Sequence, residues 1–323
     1  LELAMNEFAL IQKYFKKLTY NNPSALGLND DVFFDKKHKV VVSIDTYVEG
    51  VHFVNFRNPD LVIKKVVRSS ISDLYCKGVK PKFIFIGTSG NNKSFSKKNL
   101  NLISKSLKEE QKKYDIKLSG GDTTKSKKLT FTIMSLGYSK RIIERNKCKS
   151  GDDIYVTGNI GDSYLGLQIL KKKIFLNRKI NNYFTKKYYL PDLPILASSK
   201  LNNLASSSID ISDGLFGDLS KLINKSKLFY KVDLNKIPIS SNMTNYLNKF
   251  KKKKINFISK GDDYQIIFTS PKSKRNYIQK IFKKMNQKVT LIGNLTNVAK
   301  NNEIINADKR IKPAYNEGYS HNF

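Results

Sequence analysis

Apolar residues recur along this chain with two periods, and their alternation predicts an α/β protein. From Asn6 to Leu18, the residues Phe8, Ile11, Phe15 and Leu18 keep the spacing of one helical face. Val40-Val41-Val42-Ser43-Ile44 is a short, almost unbroken apolar run, the pattern of a buried strand. Asn58-Pro59 marks a helix start, with proline at the first helical position, where its missing N–H costs nothing. The helix it opens turns Val62, Val66, Ile71 and Leu74 inward and stops at Gly78. Strands are predicted over 83–86 and 130–138, with a helix over 95–114 between them.

At Lys149-Ser150-Gly151-Asp152 the pattern restarts. A strand over 154–157 leads through Gly158-Asn159-Ile160-Gly161 into a helix, and further strands are predicted over 230–234, 264–269 and 289–292. No short repeat is present. A chain of 323 residues exceeds the usual size of one core, so two domains are expected, 1–145 and 146–323.

Charge changes the picture next. The chain has 59 Lys+Arg against 27 Asp+Glu, a formal net charge of +32. Such an excess suggests phosphate binding along a nucleic acid. The lysines, however, are spread through the whole chain, as at Lys97-Lys98, Lys171-Lys172-Lys173, Lys251 through Lys254 and Lys283-Lys284. No zinc finger, RNP aromatic pair or basic zipper accompanies them. With Asn and Ile also abundant, the excess reads as coding bias, and no specific nucleic-acid partner is expected. Cys76 and Cys148 make neither a disulfide framework nor a zinc spacing, so a cytoplasmic setting is expected. No run of 18 apolar residues predicts a membrane span, and the N-terminus has no signal-peptide pattern. Met5 follows Leu1-Glu2-Leu3-Ala4, which reads as sequence upstream of a start.

Against this basic background aspartates recur in short segments almost free of basic residues: Asn29-Asp30-Asp31, Ser43-Ile44-Asp45-Thr46, Ser72-Asp73-Leu74, Gly120-Gly121-Asp122-Thr123-Thr124, Asp210-Ile211-Ser212-Asp213-Gly214 and Gly261-Asp262-Asp263-Tyr264. A turn or a helix cap accounts for any one of them. Six, several at the ends of apolar runs, suit a chain that holds hard cations, because Mg²⁺ takes carboxylates together with substrate phosphates. The residues alone therefore point to a Mg²⁺-dependent, ATP-using enzyme. Familiar phosphate motifs are missing. Gly87-Thr88-Ser89-Gly90-Asn91-Asn92-Lys93-Ser94 has Asn92 where a P-loop needs its second glycine, and Gly158-x-x-Gly161 is too short for a dinucleotide fingerprint. The histidines His38, His52 and His321 suggest no Ser-His-Asp arrangement.

The ordered segments resemble the thiamine-monophosphate kinase family, within the aminoimidazole-ribonucleotide-synthetase-like ATP-binding superfamily. The likeness runs nearly end to end. It begins at Glu7-Phe8-Ala9-Leu10-Ile11 with Tyr14-Phe15, passes through the acidic segments, Gly50-Val51-His52-Phe53 and Tyr155-Val156-Thr157-Gly158, and ends at Gly318-Tyr319-Ser320-His321. The resemblance implies a two-domain α/β (α+β) fold in which the N-terminal sheets of two subunits form a barrel. It implies direct, in-line transfer of the γ-phosphoryl of ATP to thiamine monophosphate, with several Mg²⁺ ions between the phosphates. Carried over residue by residue, the metal ligands would be Asp31, Asp45, Asp73, Asp122, Asp210 and Asp213, with Ser43 helping. Nucleotide contacts would come from Tyr114, Gly121, Asp122, Arg145 and Ser212, and substrate contacts from His52, Asp262 and Tyr315.

Four places depart from the family pattern: Asn29 replaces a glycine, Ile44 a threonine, Asp262 a glutamate with Lys260 close by, and the tail reads His321-Asn322-Phe323 where the family has His-Phe. They bear on substrate fit more than on ATP use. The alternative is another ATP-using member of the superfamily, acting on a different small phosphorylated substrate. A selenophosphate relative would show a reactive cysteine near the N-terminus, and none of the first 75 residues is cysteine. A nucleic-acid-binding protein on a degenerate enzyme scaffold is a third possibility, opposed by retention of the acids.

Overall fold

The computed structural model describes residues 6–306, 309–311 and 318–319. The first half contains α1 (Glu7–Leu10), β1 (Phe33–Asp35), β2 (Val40–Val48), α2 (Pro59–Cys76), β3 (Pro81–Gly90), α3 (Lys97–Tyr114), β4 (Lys117–Lys125) and β5 (Thr130–Tyr138). The second contains β6 (Asp153–Thr157), α4 (Asp162–Leu170), α5 (Arg178–Tyr189), α6 (Ile195–Leu204), β7 (Ser207–Asp210), α7 (Leu215–Ile223), β8 (Phe229–Asp233), α8 (Ser241–Phe250), α9 (Ile255–Ile258), β9 (Ile266–Ser270), α10 (Arg275–Lys284), β10 (Val289–Thr296), β11 (Glu303–Asn306) and β12 (Lys309–Ile311). Among the described residues the strands form two mixed sheets, ordered β1-β2-β5-β3-β4 and β12-β11-β8-β10-β6-β9-β7.

Helix α2 joins the two halves. Pro59 opens it as expected, although Asn58 makes no side-chain cap bond, and Gly78 takes the positive φ of 73° that ends it. The helix is buried nearly all round, beyond the four apolar positions that the sequence marks. It packs on β2 and β5 of the first sheet, and on β7, α5 and α6 of the second half. One apolar core therefore mixes Val62, Val67 and Ile133 with Tyr188, Tyr189 and Tyr264. The charged residues that α2 buries, Lys65 and Arg68, each meet a carboxylate. Arg68 binds Glu110 through two donors, at 2.8 and 2.9 Å, as a buried guanidinium must.

Three elements differ from expectation. The N-terminal helix continues from α1 only through a π turn over Ile11–Phe15 and a tighter turn over Lys16–Thr19, and buries none of its residues. Its apolar stripe has the right period, but among the described residues no other element covers it, so Phe15 and Leu18 stay exposed. β4 is a strand the sequence does not announce: all nine of its residues are exposed and most are polar. Parallel backbone pairing with β3 makes it, and Gly121 permits the approach, since a Cβ there would lie 2.0 Å from the Ile86 carbonyl oxygen. Tyr264, expected to begin a strand, sits at φ 49° in a turn, and β9 starts two residues later.

Candidate active site

The site forms where α2, β2, β7 and the 29–31 turn meet. Ser43, Asp45 and Tyr47 alternate onto the face of β2 that meets α2. Asp73 comes from the last turn of α2, and Asp210 ends β7. One carboxylate oxygen from each of Asp31, Asp73 and Asp210 lies within 4.8 Å of the others. Ser43 donates to Asp73, Ser72 donates to Asp210 at 2.7 Å, and the Tyr47 hydroxyl donates to Asp45 at 2.9 Å. An all-oxygen set of this kind fits a hard cation.

Crowded carboxylates resist ionisation. Burial pushes Asp45 up to about 6, helped by Asp213. Burial and Asp218 push Asp210 up to about 7, and the same two causes push Asp213 up to about 6. Asp73 is held well above the usual aspartate range by burial, then by Asp45 and Asp210. A divalent cation would relieve this repulsion.

Cations already stand at the rim. Arg145 grips both oxygens of Asp31, and Lys77 reaches Asp30 at 2.7 Å and Asp31 at 2.6 Å. Lys221 bridges Asp213 and Asp218. Asp218 in turn accepts the backbone N–H groups of Asp213 and Gly214, at 2.9 and 3.0 Å, which fixes the loop that carries Ser212. The Ser212 carbonyl accepts from the Asp262 N–H at 2.9 Å, so this loop and the Asp262 turn are tied together.

A second group of residues lies toward α5. Asp262 pairs with Lys65, whose side chain is 1% exposed and whose Nζ stands 4.0 Å from the centre of the Tyr188 ring. The cation that meets Asp262 is thus Lys65 from α2, rather than its neighbour Lys260. The Tyr188 hydroxyl donates to the His52 carbonyl at 3.0 Å, while His52 Nδ1 accepts from the Val48 N–H and its ring meets Tyr47 edge-on. Asp263 points elsewhere, accepting the Gly161 N–H at 2.8 Å at the start of α4. A cavity of about 240 Å³ opens on that side, between Gly158, Asp162, Lys187 and Gln265, and none of the described metal, nucleotide or substrate residues assigned from sequence lines it.

The structure thus gathers Asp31, Ser43, Asp45, Asp73, Arg145, Asp210, Ser212 and Asp213, with His52 and Asp262 beside them. It does not bring Asp122 and Gly121 to Asp45. The register runs Asp45↔Ile133, Ile133↔Ile86 and Ile86↔Gly121, so three strand spacings, about 14 Å, separate them. Tyr114 is 3% exposed, packed against Tyr75 and Arg68, and offers little surface to a nucleotide. Tyr315 lies outside the described residues. Asn29 needs no left-handed backbone, for its φ is −131°; its amide pairs reciprocally with that of Asn224 at 3.1 Å. Ile44 is 65% exposed on the opposite face of β2, where no side-chain ligand is lost to the cluster. Lys65, Lys77 and Asp218 were not anticipated; each is one charged residue whose partners only the fold identifies.

Comparison with known proteins agrees with the geometry. The family model "AIR synthase related protein, N-terminal domain" matches residues 28–139. Thiamine-monophosphate kinase of Buchnera aphidicola subsp. Schizaphis graminum is 36% identical, over 95% of this chain and 96% of its own length. The Escherichia coli K12 protein of the same name is 31% identical over 91% of each chain. A solved structure described as AaThiL complexed with AMPPCP and TMP superposes with a TM-score of 0.84 at 25% identity, covering 98% of this chain and 97% of that one. On this likeness over nearly its whole length, the chain belongs to the thiamine-monophosphate kinase family.

Proposed function

We propose that this chain transfers the γ-phosphoryl group of ATP to thiamine monophosphate, giving thiamine diphosphate and ADP, with Mg²⁺ at the acidic group. The observation that carries the reading is the convergence of Asp31, Asp73 and Asp210, from three separate segments, within 4.8 Å. Bound Mg²⁺ would screen the charge of two phosphorylated substrates and of the transferring group. Asp31, Asp45, Asp73, Asp210 and Asp213 would hold it, with Ser43 orienting Asp73. Arg145 and Ser212 stand beside them to meet nucleotide. His52 and Asp262 would meet the thiamine end; Tyr315, assigned there by the resemblance, lies outside the described residues. The acceptor phosphate, whose second pKa is about 6, is already ionised near neutrality, so no side chain need act as general base.

The reading includes a homodimer and a division into domains at 145/146. The sheet face turned away from α2 carries Ile44, Phe83, Phe85, Met134, Leu136 and Tyr138, none of them fully buried. A second copy over that face would complete the barrel of this reading, while Gly121 and Asp122, on the exposed edge strand β4, keep their assignment to nucleotide and metal from the resemblance alone. Cys76 and Cys148, both unpaired and buried, suit a cytoplasmic protein. Among the described residues no helix is long and apolar enough to cross a membrane.

Incubation with ATP, Mg²⁺ and thiamine monophosphate, followed by chromatography, tests the activity. Thiamine diphosphate and ADP in equal amounts are expected. ATP consumed only with another phosphorylated acceptor would move the chain to a different substrate.

A further inference from the structure

Lys77 lies beside the 29–31 turn, at the edge of the acidic group. It caps α2 between Cys76 and Gly78, and its side chain is 0% exposed. An ammonium has three protons to donate. Here three oxygens receive them: Asp30 at 2.7 Å, Asp31 at 2.6 Å and the Ser208 carbonyl at 2.8 Å. Those oxygens, two carboxylates of the 29–31 turn and a carbonyl of β7, are the kind a hard divalent ion would gather. A buried charge held by a helix end, with every proton directed at an oxygen, is a fixed cation. Arg145 adds a second on Asp31. The partners of Asp45, Asp73 and Asp210 named above are hydroxyls, which orient a carboxylate without neutralising it.

We propose that the Lys77 ammonium occupies one cation position of the acidic site, so that Asp30 holds no divalent ion and added metal binds on the side of Asp45, Asp73 and Asp210. The inference rests on the metal-binding reading above. It makes part of the charge screening permanent, supplied by the chain itself.

The test counts Mn²⁺ bound per chain, by electron paramagnetic resonance of the free ion, on the full chain with a non-hydrolysable ATP analogue whose own Mn²⁺ is subtracted. Lys77→Met keeps the length and apolar bulk of the stem and removes the charge. It is expected to bind one more Mn²⁺ per chain than the unaltered protein. Asp30→Asn, with Lys77 in place, is expected to bind the same number as the unaltered protein. A folded Lys77→Met chain with an unchanged count overturns the proposal. So does the loss of an ion from Asp30→Asn, which decides the matter even if Lys77→Met cannot be purified. An unaltered chain that binds no Mn²⁺ beyond the analogue's own overturns the metal reading, and this proposal with it; an unaltered chain that binds Mn²⁺ leaves the first standing while the variants judge the second.

Discussion

The two ends of the site handle charge in opposite ways. Among the described residues, Asp30, Asp31, Asp45, Asp73, Asp210, Asp213 and Asp218 at the acidic end face Lys77, Arg145 and Lys221, and several carboxyls are driven upward in pKa. At the other end a single carboxylate, Asp262, meets a single buried cation, Lys65, against the rings of Tyr188 and Tyr264. The first end is short of positive charge and takes it from outside. The second is balanced and aromatic, suited to an organic group. Under the proposed function, the difference would separate phosphate handling from recognition of the thiamine moiety.

The sharpest way to break this comparison is to neutralise the unbalanced end. Asp45→Asn, Asp73→Asn and Asp210→Asn should each keep the fold and lower kcat by about 10²-fold or more, the scale of losing an electrostatic contact to a transition state. Steady-state kinetics with circular dichroism checks both halves of the statement. Unchanged kcat in all three would leave the acidic group without a catalytic role.

Much of that end is legible in the sequence because its acids follow strands and helix ends that periodicity locates. Asp45 follows the apolar run of β2, and Asp73 lies in the last turn of α2, just ahead of the glycine that stops it. The balanced end is harder to read, since Lys65 and Asp262 stand 197 residues apart and nothing local links them. Lys77 is hidden for the same reason: Ser208, one of its partners, is 131 positions away. β4 escapes a pattern-based reading because an exposed edge strand needs no apolar alternation; its backbone pairing is enough. The N-terminal stripe misleads in the other direction. Its periodicity is real, but burial depends on a covering surface that the described elements do not provide.

Acidity gives the next largest effect. Asp45 and Asp213 near 6 and Asp210 near 7 bind protons in the folded chain at pH values where unfolded aspartates have released them. Raised pKa values of this sign stabilise the metal-free protein at low pH, and that contribution is lost as pH rises through about 6 to 7. Metal binding runs the other way, because protons must leave first. The Mg²⁺ concentration giving half-maximal thermal stabilisation should fall about tenfold between pH 6 and pH 8, each proton displaced contributing about a factor of ten per pH unit below its pKa. Melting curves over a Mg²⁺ series at the two pH values measure it. A midpoint independent of pH would mean that these carboxylates are not the ligands.

Removing the buried cation at the balanced end should act mainly on substrate recognition. Lys65→Met leaves Asp262 unpaired beside two tyrosine rings, a costly arrangement. KM for thiamine monophosphate should rise severalfold and the melting temperature fall, with KM for ATP little changed. Equal changes in the two KM values would show that Lys65 and Asp262 are structural and do not read the thiamine end.

The smallest effect is expected at Asp262 itself. The turn that carries it is fixed by the Ser212 carbonyl and by a positive φ of 70°, and its carboxylate is drawn to Lys65 and lies 3.4 Å from the Tyr264 hydroxyl. Asp262→Glu adds one methylene without changing the charge. The longer side chain can keep Lys65 while reaching further toward a cationic thiazolium or an aminopyrimidine donor. KM for thiamine monophosphate should therefore stay the same or fall, within about threefold, a difference under 1 kcal/mol. Asp262→Ala should raise that KM more than the KM for ATP, because it frees Lys65 to repel a cationic substrate. Kinetics on the pair, varying each substrate in turn, separates recognition from turn geometry: an Ala variant that matches the Glu variant in both constants would reduce Asp262 to a feature of the loop.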